Sequence, residues 1–508
     1  MDIINTFLLC SILILCLHFL NTILILNKKN RPRLPPGPTG LPILGSLLAI
    51  GNRPHESLAK LAQAHGPLMT VRFGTKKIVV ATSADVAKEI LRTNDRAFVG
   101  RPRPEAVTVG KFHDTSLVWA SGLSPHWKKL RRVCNTELFT TQRLDSLVDL
   151  RHRMMSKMIK LAERARTARE ALHVESLVFG TVLNFLSNTV FSGDMVDMGS
   201  SGGTGELREL IARLVELGMK PNAADYLPWL RPFDVQGIRR EITPLYGRVH
   251  ELLWDVIGRR VGERAGGHAR RGDFLDVLLH YADAEENGSS QELTHENIMV
   301  LFMDLFVAGT HTTTITMEWA MAELLRHPPV LAKLKREIFD INIPPGKLVE
   351  EQDIPRILYL DAVIKETLRL HPVIPLLVPH LTEERANIGP YTIPEDTEVL
   401  VNVWSIQRDP VYWADSTSFR PERFVGSDVD IRGRDCRFLP FGTGRRICPG
   451  LGLAVRMVSL MLANLVHGFD WELPDGMRPE DLDMTDGFGL LLRKMKPLVA
   501  IPVSASSQ

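Results

Sequence analysis

The sequence predicts a mainly α-helical protein with a minor β-sheet, built as one large domain behind an apolar N-terminal segment. Two observations support this prediction. Long stretches with apolar residues at three- and four-residue spacing outnumber the short alternating stretches that are typical of strands. No internal repeat and no second linker divides the 508-residue chain, so its length alone does not indicate several domains. The predicted parts are residues 1–27, 28–42 and 43–508.

The composition is that of a globular protein. Lys and Arg total 61 against 59 Asp and Glu, a formal net charge of +2, which argues against nucleic-acid binding through bulk charge. Hydrophobic residues make up 44% and charged residues 24%, which argues against a disordered chain or a multi-span membrane protein. Five cysteines in so long a chain cannot form a disulfide framework, and this favours a reducing compartment.

The first element is an apolar run over residues 3–26, in which His18 is the only titratable side chain apart from two cysteines. As a helix it is about 36 Å long, enough to span a bilayer. The chain starts with an acidic residue and basic residues follow the run, unlike a cleaved signal peptide. We predict a transmembrane signal anchor over residues 1–27, with the basic residues after it holding the body in the cytosol. A buried core helix is the alternative.

Residues 28–42 form a basic and proline-rich hinge, in which the prolines favour a stiff extended connector. Residues 68–73 and 78–81 then predict a β-hairpin around the turn 74–77. The remaining predicted elements are short strands, helices with apolar residues at helical spacing and one glycine- and serine-rich loop. They are strands near 389–393 and 490–501, helices over 144–161, 206–217, 298–325, 330–339 and 451–466, and a loop over 198–205.

The segment FGTGRRICPG over residues 441–450 carries the strongest chemical signal. A glycine-rich loop presents one cysteine, Cys448, just before an apolar helix whose N-terminal dipole favours the thiolate. Cys448 has no cysteine or histidine companion at metal-site spacing, which argues against structural zinc or an iron–sulfur cluster. A single soft anionic ligand suits haem iron. The segment fits the pattern F-x-x-G-x-R-x-C-x-G at Phe441, Gly444, Arg446, Cys448 and Gly450.

This loop resembles the haem-binding segment of the cytochrome P-450 superfamily. The resemblance implies that Cys448 is the axial ligand of the iron in haem b (iron protoporphyrin IX) and that Arg446 faces a haem propionate. It also implies that Phe441, Gly444 and Gly450 belong to the cofactor-binding loop. Electron donation by an axial thiolate favours cleavage of the O–O bond.

The apolar stretch 301–314 resembles the oxygen-activating helix of the same family, A-G-x-(D/E)-T-T. The resemblance implies that Ala308 and Gly309 line the oxygen site and that Thr312 delivers protons. His311 departs from the pattern because the family usually has an acid there, although an imidazole also moves protons near neutral pH. The alternative is an ordinary buried helix in which Thr312 donates a hydrogen bond to the Ala308 carbonyl.

Glu366 and Arg369 form an E-x-x-R pair, and their spacing of three residues places both side chains on one helical face. Downstream, Arg423 lies in the sequence PERF. The family resemblance implies that these three residues form a structural triad, which braces the core beside the haem. A surface ion pair between the first two residues is the alternative.

Trp127 and Arg131 match the W-x-x-x-R pattern of the family, in which both side chains contact a haem propionate. An ordinary amphipathic helix explains their spacing equally well. His380 stands where relatives often have an arginine directed to the same propionate. Together with the anchor and the hinge, the patterns follow the family order along the whole chain.

The chain contains no recognisable nicotinamide, flavin or nucleotide motif, so electrons must come from a partner. The resemblance implies the NADPH-dependent cytochrome P-450 reductase as that partner. It also implies a single-pass protein of the endoplasmic reticulum membrane, with membrane lipid around the anchor and the catalytic domain in the cytosol. The basic residues proposed for reductase docking are Lys128, Lys129, Arg131, Arg132, Arg432, Arg434, Arg437 and Arg445.

Four further segments, 304–309, 317–324, 429–435 and 476–484, resemble the plant group of geraniol hydroxylases and terpenoid (diterpene) hydroxylases. This resemblance implies a monooxygenase that uses O2 to hydroxylate a small hydrophobic terpenoid. Oxidation of an alkaloid or phenolic compound is an alternative, as are a haem-thiolate isomerase or dehydratase that does not use O2 and a catalytically idle haem protein. The predicted pocket residues are all apolar, namely Phe302, Phe306, Val307, Val373, Ile374, Leu377 and Phe488.

Overall fold

Helices make up most of the structure. The computed structural model describes residues 33–110, 112–197, 206–285, 293–344 and 346–505. The predicted anchor, residues 28–32 of the predicted hinge and the predicted loop 198–205 lie outside these residues. The α-helices are α1 (Leu47–Ile50), α2 (Pro54–His65), α3 (Ala84–Lys88), α4 (Glu105–Thr108), α5 (Pro125–Val133), α6 (Thr141–Ser146), α7 (Val148–Ala168), α8 (Val174–Phe191), α9 (Glu206–Met219), α10 (Ala223–Tyr226), α11 (Ile238–Ala265), α12 (Phe274–Glu285), α13 (His295–Arg326), α14 (Pro328–Asp340), α15 (Leu358–Leu370), α16 (Val403–Ile406) and α17 (Leu451–Gly468).

The strands are short and form small sheets. They are β1 (Leu68–Phe73), β2 (Lys76–Ala81), β3 (Leu172–His173), β4 (His380–Leu381), β5 (Ala386–Ile388), β6 (Tyr391–Ile393), β7 (Glu398–Val401), β8 (Phe469–Glu472), β9 (Asp486–Phe488), β10 (Leu492–Lys494) and β11 (Val499–Ser504). The sheet orders are β1-β2-β7-β4, β3-β11-β8, β9-β10 and β5-β6. Short 3-10 helices cover Phe112–Asp114, Pro228–Phe233, Ile354–Arg356, Pro421–Phe424, Gly444–Arg446, Pro474–Gly476 and Pro479–Asp481, and π-helical turns cover Glu89–Thr93 and Cys134–Leu138.

The predicted β-hairpin is present as β1 and β2, which pair antiparallel from Leu68 opposite Ala81 onward. Its turn is shorter than predicted, because β2 already begins at Lys76. Gly74 has a φ of +59°, and a positive φ at glycine lets the chain reverse within two residues. On its other side β2 pairs parallel with β7, so the hairpin belongs to the four-stranded sheet.

The predicted helices are present, and most extend a few residues beyond the predicted limits. The predicted helix 144–161 is instead divided between α6 and α7. The division lies at Leu147, whose φ of −97° and ψ of 10° leave the helical region. Thr140 caps α6 by accepting a hydrogen bond from the Arg143 N–H, and α7 then continues to Ala168.

The centre of the molecule is α13, which begins at a capping box between Thr294 and Asn297. Three described helices, α8, α13 and α17, are long and apolar enough to cross a membrane. Between 56% and 83% of the residues in their most apolar windows are buried inside the protein, since α13 packs against both of the others. Their apolar composition therefore serves the core, and it places the middle of α13 deep in the molecule.

Candidate active site

Cys448 lies at the end of a tightly folded loop, directly before α17. The Cys448 N–H donates to the Phe441 carbonyl at 3.0 Å, which closes the loop. Gly444 has a φ of +71°, and a Cβ atom there would lie 2.0 Å from the Leu91 carbonyl oxygen, so only glycine fits. Gly450 starts the helix, and its N–H points at the Cys448 sulfur.

The surroundings of Cys448 include groups that stabilise a thiolate, while burial keeps the pKa of the thiol above its ordinary value. Burial raises the pKa of the Cys448 thiol, whereas the N–H groups of Gly450 and Leu451 and the charge of Arg131 lower it. The Arg131 guanidinium donates to the Ile447 carbonyl at 2.7 Å, so it lies beside the loop. The N–H groups at a helix start and a nearby cation are the features that stabilise a cysteine thiolate.

Three arginines lie around the loop, of which Arg101 is buried and Arg131 and Arg446 are partly buried. The Arg446 guanidinium donates to the Val99 carbonyl at 2.9 Å, and that of Arg101 to the Val378 carbonyl at 2.6 Å. Burial lowers the pKa of each, and that of Arg446 falls to about 10. Among the described residues, neither these two nor Arg131 forms an ion pair with a carboxylate, and the Arg101 Nε has no hydrogen-bond partner. The three arginines therefore form a positively charged site that would bind an anionic group.

Trp127 and His380 complete this arginine cluster. The Trp127 Nε1 donates to the Leu117 carbonyl at 2.9 Å, and the Arg446 guanidinium lies 4.5 Å from the centre of the Trp127 ring. The His380 Nδ1 lies 2.7 Å from the Phe98 carbonyl. Burial, together with nearby Arg101 and Arg446, lowers the pKa of His380 well below its usual value. His380 is therefore a neutral imidazole whose proton is engaged by the backbone.

The middle of α13 has one open face. Ala308 is exposed although it lies in the centre of a mostly buried helix. The Thr312 Oγ1 donates to the Ala308 carbonyl at 2.7 Å, one turn earlier on the same face. Gly309 faces away, since a Cβ atom there would lie 2.8 Å from Leu186 of α8. Gly309 thus permits close contact between α13 and α8, and its place at the oxygen site stays a prediction.

His311 lies beside α8. Its ring meets that of Phe179 edge-on, with ring centres 5.0 Å apart and an angle of 61° between the planes. His311 is half-buried, and it directly precedes Thr312 in the chain. The structure therefore places an imidazole next to the open face of α13, where the family pattern has an acid.

Two functional candidates were not found from the sequence, Arg101 and Asp304. The Asp304 carboxylate accepts hydrogen bonds from the Ser116 hydroxyl at 2.9 Å and from the Leu117 N–H at 2.6 Å. Burial raises the pKa of Asp304 to about 7, although these donors lower it. An acid within an apolar helix was a visible signal for Asp304. Nothing in the sequence around Arg101 distinguishes it from a surface arginine.

The three residues of the predicted triad are in contact, with Glu366 and Arg369 fully buried and Arg423 partly buried. The Glu366 carboxylate accepts two hydrogen bonds from Arg369, at 2.7 and 2.8 Å, and one from the Arg423 Nε at 3.0 Å. The Arg420 N–H donates to the same carboxylate at 2.8 Å. Arg369 also donates to backbone carbonyls on the segment 407–418. The triad thus joins α15 to the segment that leads towards the Cys448 loop.

Phe302 and Phe306 lie on a covered face of α13. Both are at most 1% exposed, and both pack against Phe191 of α8, with ring centres 6.5 and 5.9 Å away. This packing argues against their predicted position over the haem, which stays a prediction. Val307 lies on another face of α13 and is only half-buried.

The other predicted pocket residues lie on two connected segments. Val373, Ile374 and Leu377 follow α15, where the Leu377 N–H donates to the Ile374 carbonyl at 3.1 Å and Leu377 has a φ of +52°. Phe488 ends β9 and stacks on His55, with ring centres 5.3 Å apart. We call residues 373–377 the wall segment and β9 with β10 the wall hairpin.

The residues proposed for reductase docking differ in their availability. Lys128, Arg132 and Arg432 are exposed. The Arg131 guanidinium is instead directed inward to the Ile447 carbonyl, which argues against a role in docking. Three others are engaged in ion pairs, Arg434 with Asp430, Arg437 with Asp435 and Arg445 with Asp95. Lys129 is partly buried, and burial lowers its pKa.

A lone cysteine before a helix start, with a cluster of arginines beside it, is the arrangement expected of a haem-thiolate protein, and comparison with known proteins agrees. The chain matches the cytochrome P-450 family over residues 35–500. It therefore belongs to the cytochrome P-450 family, as the sequence motifs indicated. The protein is a haem-dependent monooxygenase with a mainly α-helical cytochrome P-450 domain.

Plant hydroxylases are among its similar relatives. The geraniol 8-hydroxylase of Swertia mussotii is 42% identical over 94% of this chain and 94% of its own length. The geraniol 8-hydroxylase of Catharanthus roseus is 41% identical over 94% of this chain and 95% of its own length. The probable (S)-N-methylcoclaurine 3'-hydroxylase isozyme 2 of Coptis japonica is 40% identical over 97% of this chain and 98% of its own length.

Proposed function

We propose that this monooxygenase hydroxylates a small hydrophobic terpenoid, either a monoterpene or a diterpene, with electrons from NADPH delivered by a cytochrome P-450 reductase. The observation that carries the substrate class is the similarity to two geraniol 8-hydroxylases, at 42% and 41% identity over 94% of the chain. The apolar residues Val307, Val373 and Leu377 support it, because a terpene offers almost no polar group to a pocket.

The residues present fit a haem. The Cys448 thiolate would ligate the haem iron, and Arg131, Arg446 and Arg101 would hold the propionates, whose negative charge would balance these arginines. When bound, the haem supplies the activation of O2 and the oxidation of an unactivated C–H bond. Neutral His380 has its proton directed to a carbonyl and cannot donate to a propionate, so Arg101 takes the role expected of that position.

Thr312 places a hydroxyl on the open face of α13. Because this hydroxyl donates to the Ala308 carbonyl, the lone pairs of its oxygen remain free to accept a hydrogen bond from a water molecule and so to position that water as the proton donor. His311 is the adjacent titratable group. We assign proton delivery to Thr312, with His311 as the group that replaces the usual acid. Exchange of His311 for aspartate tests this role through the amount of product formed per NADPH.

We place the protein on the endoplasmic reticulum membrane, held by the predicted anchor. An exposed apolar surface supports this placement. We call it the apolar surface, and it consists of Leu41, Ile43, Leu44, Leu48, Trp229, Phe233 and Val235. The two chain segments that carry these residues meet at the β1–β2 turn, where the Gly74 N–H donates to the Leu44 carbonyl and the Thr75 N–H to the Tyr226 carbonyl.

The deciding experiment measures product formation by the full-length protein in reductase-containing microsomes with NADPH and isotopically labelled O2. The substrates are a panel of monoterpenols, labdane-type diterpenes and benzylisoquinoline alkaloids. We expect one labelled oxygen atom in a terpene product and no product without NADPH. Failure of every terpene, with protein shown to contain folded haem, overturns the terpenoid assignment.

Hydroxylation of an alkaloid is the second candidate. It is favoured by the Coptis japonica relative, whose name describes hydroxylation of N-methylcoclaurine and which is 40% identical over 97% of this chain. The same panel separates the two candidates, since a labelled product from an alkaloid but from no terpene selects the second. Product that forms without O2 or NADPH would instead indicate an isomerase or dehydratase.

A further inference from the structure

The second half of α13 contacts the two parts of the chain that we assign to the pocket walls, the wall hairpin and the residues before the wall segment. Trp319 and Glu323 are one helical turn apart, so their side chains lie on one face of the helix. Both are buried, and both contact His371, which directly follows α15. This face of α13 therefore offers one indole N–H group and one carboxylate to the segments that pack against it.

Glu323 fixes the start of the wall segment. Its Oε1 lies 2.6 Å from the His371 Nε2, and the His371 ring lies flat on Trp319, with ring centres 3.9 Å apart and planes 6° apart. Burial raises the pKa of Glu323, but hydrogen bonds from His327 and His371 lower it to about 2. The carboxylate is thus charged at any working pH and remains a strong acceptor.

Trp319 fixes the wall hairpin. Its Nε1 donates to the Leu492 carbonyl of β10 at 3.1 Å. The Leu492 N–H in turn donates to the Val373 carbonyl at 2.8 Å, and Leu492 is paired with Phe488 across the hairpin. The wall hairpin and the wall segment are therefore joined to each other, and each is also fastened to α13.

We propose that Trp319, Glu323 and His371 are positioning residues that set the width of the substrate pocket and thereby select the carbon atom that is hydroxylated. The proposal rests on the proposed function, since it takes the wall segment and the wall hairpin as the sides of the pocket. The three residues act through the Val373 and Leu492 backbone. Loss of one of their hydrogen bonds moves a wall relative to α13 and leaves the Cys448 loop in place.

The first test compares two Trp-to-Phe exchanges in the full-length haem protein. Trp319→Phe retains a ring on His371 and removes the hydrogen bond to the Leu492 carbonyl. Trp471→Phe is the matched control, because the buried Trp471 Nε1 donates to the Leu465 carbonyl at 3.0 Å, away from both walls. Each variant is titrated with imidazole and with a bulky phenyl-substituted azole, and binding is followed in the haem absorption spectrum.

We expect Trp319→Phe to change the dissociation constant of the bulky azole by about fivefold, and that of imidazole by less than about twofold. Trp471→Phe should change neither, although it loses a similar hydrogen bond. An unchanged bulky-azole constant in Trp319→Phe, or an equal change in the control, overturns the proposal. Haem content, measured by the carbon monoxide difference spectrum, shows that both variants are folded.

The second test uses the two histidines that share Glu323. His371→Phe keeps the stack on Trp319 and loses the hydrogen bond to the carboxylate. His327→Phe loses the other hydrogen bond to the same carboxylate, and His327 stacks on Phe419 outside the walls. We expect only His371→Phe to alter bulky-azole affinity and, with a substrate, the ratio of product regioisomers. Equal effects in both variants would mean that Glu323 only stabilises the fold and does not position the wall segment, which would overturn the proposal.

These tests separate the two proposals. If the wild-type protein oxidises no terpenoid, the substrate assignment fails, but the azole titrations still decide whether Trp319 and His371 position the walls. If terpenoids are oxidised and the variants bind both azoles normally with unchanged product ratios, only the positioning proposal fails.

Discussion

At the scale of single residues, the side chains of the active site are held mainly by backbone atoms. Thr312 donates to the Ala308 carbonyl, and Arg131 donates to the Ile447 carbonyl. A backbone partner stays in place when a neighbouring side chain is exchanged. Each side chain can therefore be tested alone, without loss of a whole network.

Cys448→Ala should remove haem binding and turnover. Within the described part of the chain no substitute ligand is found, since the other two cysteines there, Cys134 and Cys436, are buried and no group of three metal-ligating side chains is present. The measurements are the carbon monoxide difference spectrum and product formation. Cys134→Ala, in which a buried cysteine is also lost, should retain both. A variant without Cys448 that still forms product would contradict the assigned ligand.

Thr312→Ala should leave haem content unchanged and lower the product formed per NADPH by about tenfold or more, because positioned proton donors commonly contribute at least that factor. Thr313→Ala is the matched control, since the Thr313 Oγ1 donates to the Gly309 carbonyl at 3.0 Å on a buried face. NADPH consumption and product are measured together. Equal coupling in the two variants would exclude proton delivery by Thr312.

At the scale of elements, buried ionic and polar contacts connect helices to the loops that carry the site. The strongest example is Glu366, which accepts four hydrogen bonds and joins α15 to the segment before the Cys448 loop. Asp304 is a second example, since it fastens the segment 115–120 to α13. Removal of either connection should therefore lower the free energy of unfolding by more than removal of a surface ion pair does.

Glu366→Gln should destabilise the protein by about 3–5 kcal/mol, because it leaves Arg369 and Arg423 without their counter-ion. Asp361→Asn on the same helix is the control. Asp361 pairs with Lys365 at 2.8 Å, but its side chain is 58% exposed, so we expect a loss of about 0–1 kcal/mol. Thermal unfolding of the haem protein measures both. Similar losses would show that the triad does not brace the core.

Asp304→Leu should cost about 1–3 kcal/mol and weaken haem retention, because it leaves the Ser116 hydroxyl and the Leu117 N–H without an acceptor. Segment 115–120 also supplies the Leu117 carbonyl to Trp127 and the Ala120 carbonyl to Arg446, which explains the link to haem. Asp304→Asn keeps one acceptor oxygen and should show a smaller loss. Haem release during dilution is the measurement. Equal retention in both variants and the wild type would contradict this link.

At the scale of the whole molecule, apolar surface is divided between the core and one exposed surface. The long apolar helices α8, α13 and α17 cover one another. The apolar surface beside the β1–β2 turn is not covered, and Phe233 and Trp229 are 74% and 57% exposed there. An exposed apolar surface of this kind binds lipid when its aromatic rings enter the interface.

A protein without residues 1–32 should therefore still bind vesicles, and exchange of Trp229 and Phe233 for glutamate should weaken that binding by about tenfold or more. Val411→Glu is the control, since Val411 is 81% exposed but lies in another loop. Sedimentation with vesicles measures binding. If the control weakens binding as much as the double exchange, the apolar surface is not the membrane contact.

Much of the fold and of the site followed from local patterns. Periodicity predicted the long helices and the β-hairpin, and the motifs around Cys448, Glu366 and Thr312 led to the family. These features depend on residues that are close in sequence, where spacing alone determines which side chains share a face or a turn. The Cys448 loop and the pairing of Glu366 with Arg369 are of this kind.

The tertiary structure decided which neighbour covers each face, because that depends on chain segments hundreds of residues apart. It placed Phe302 and Phe306 against α8, brought Arg101 into the cluster around Arg446, and joined Trp319 to Leu492. An amphipathic pattern shows that a face is buried, but many partners can bury it equally well. Only the packing of the whole chain selects one.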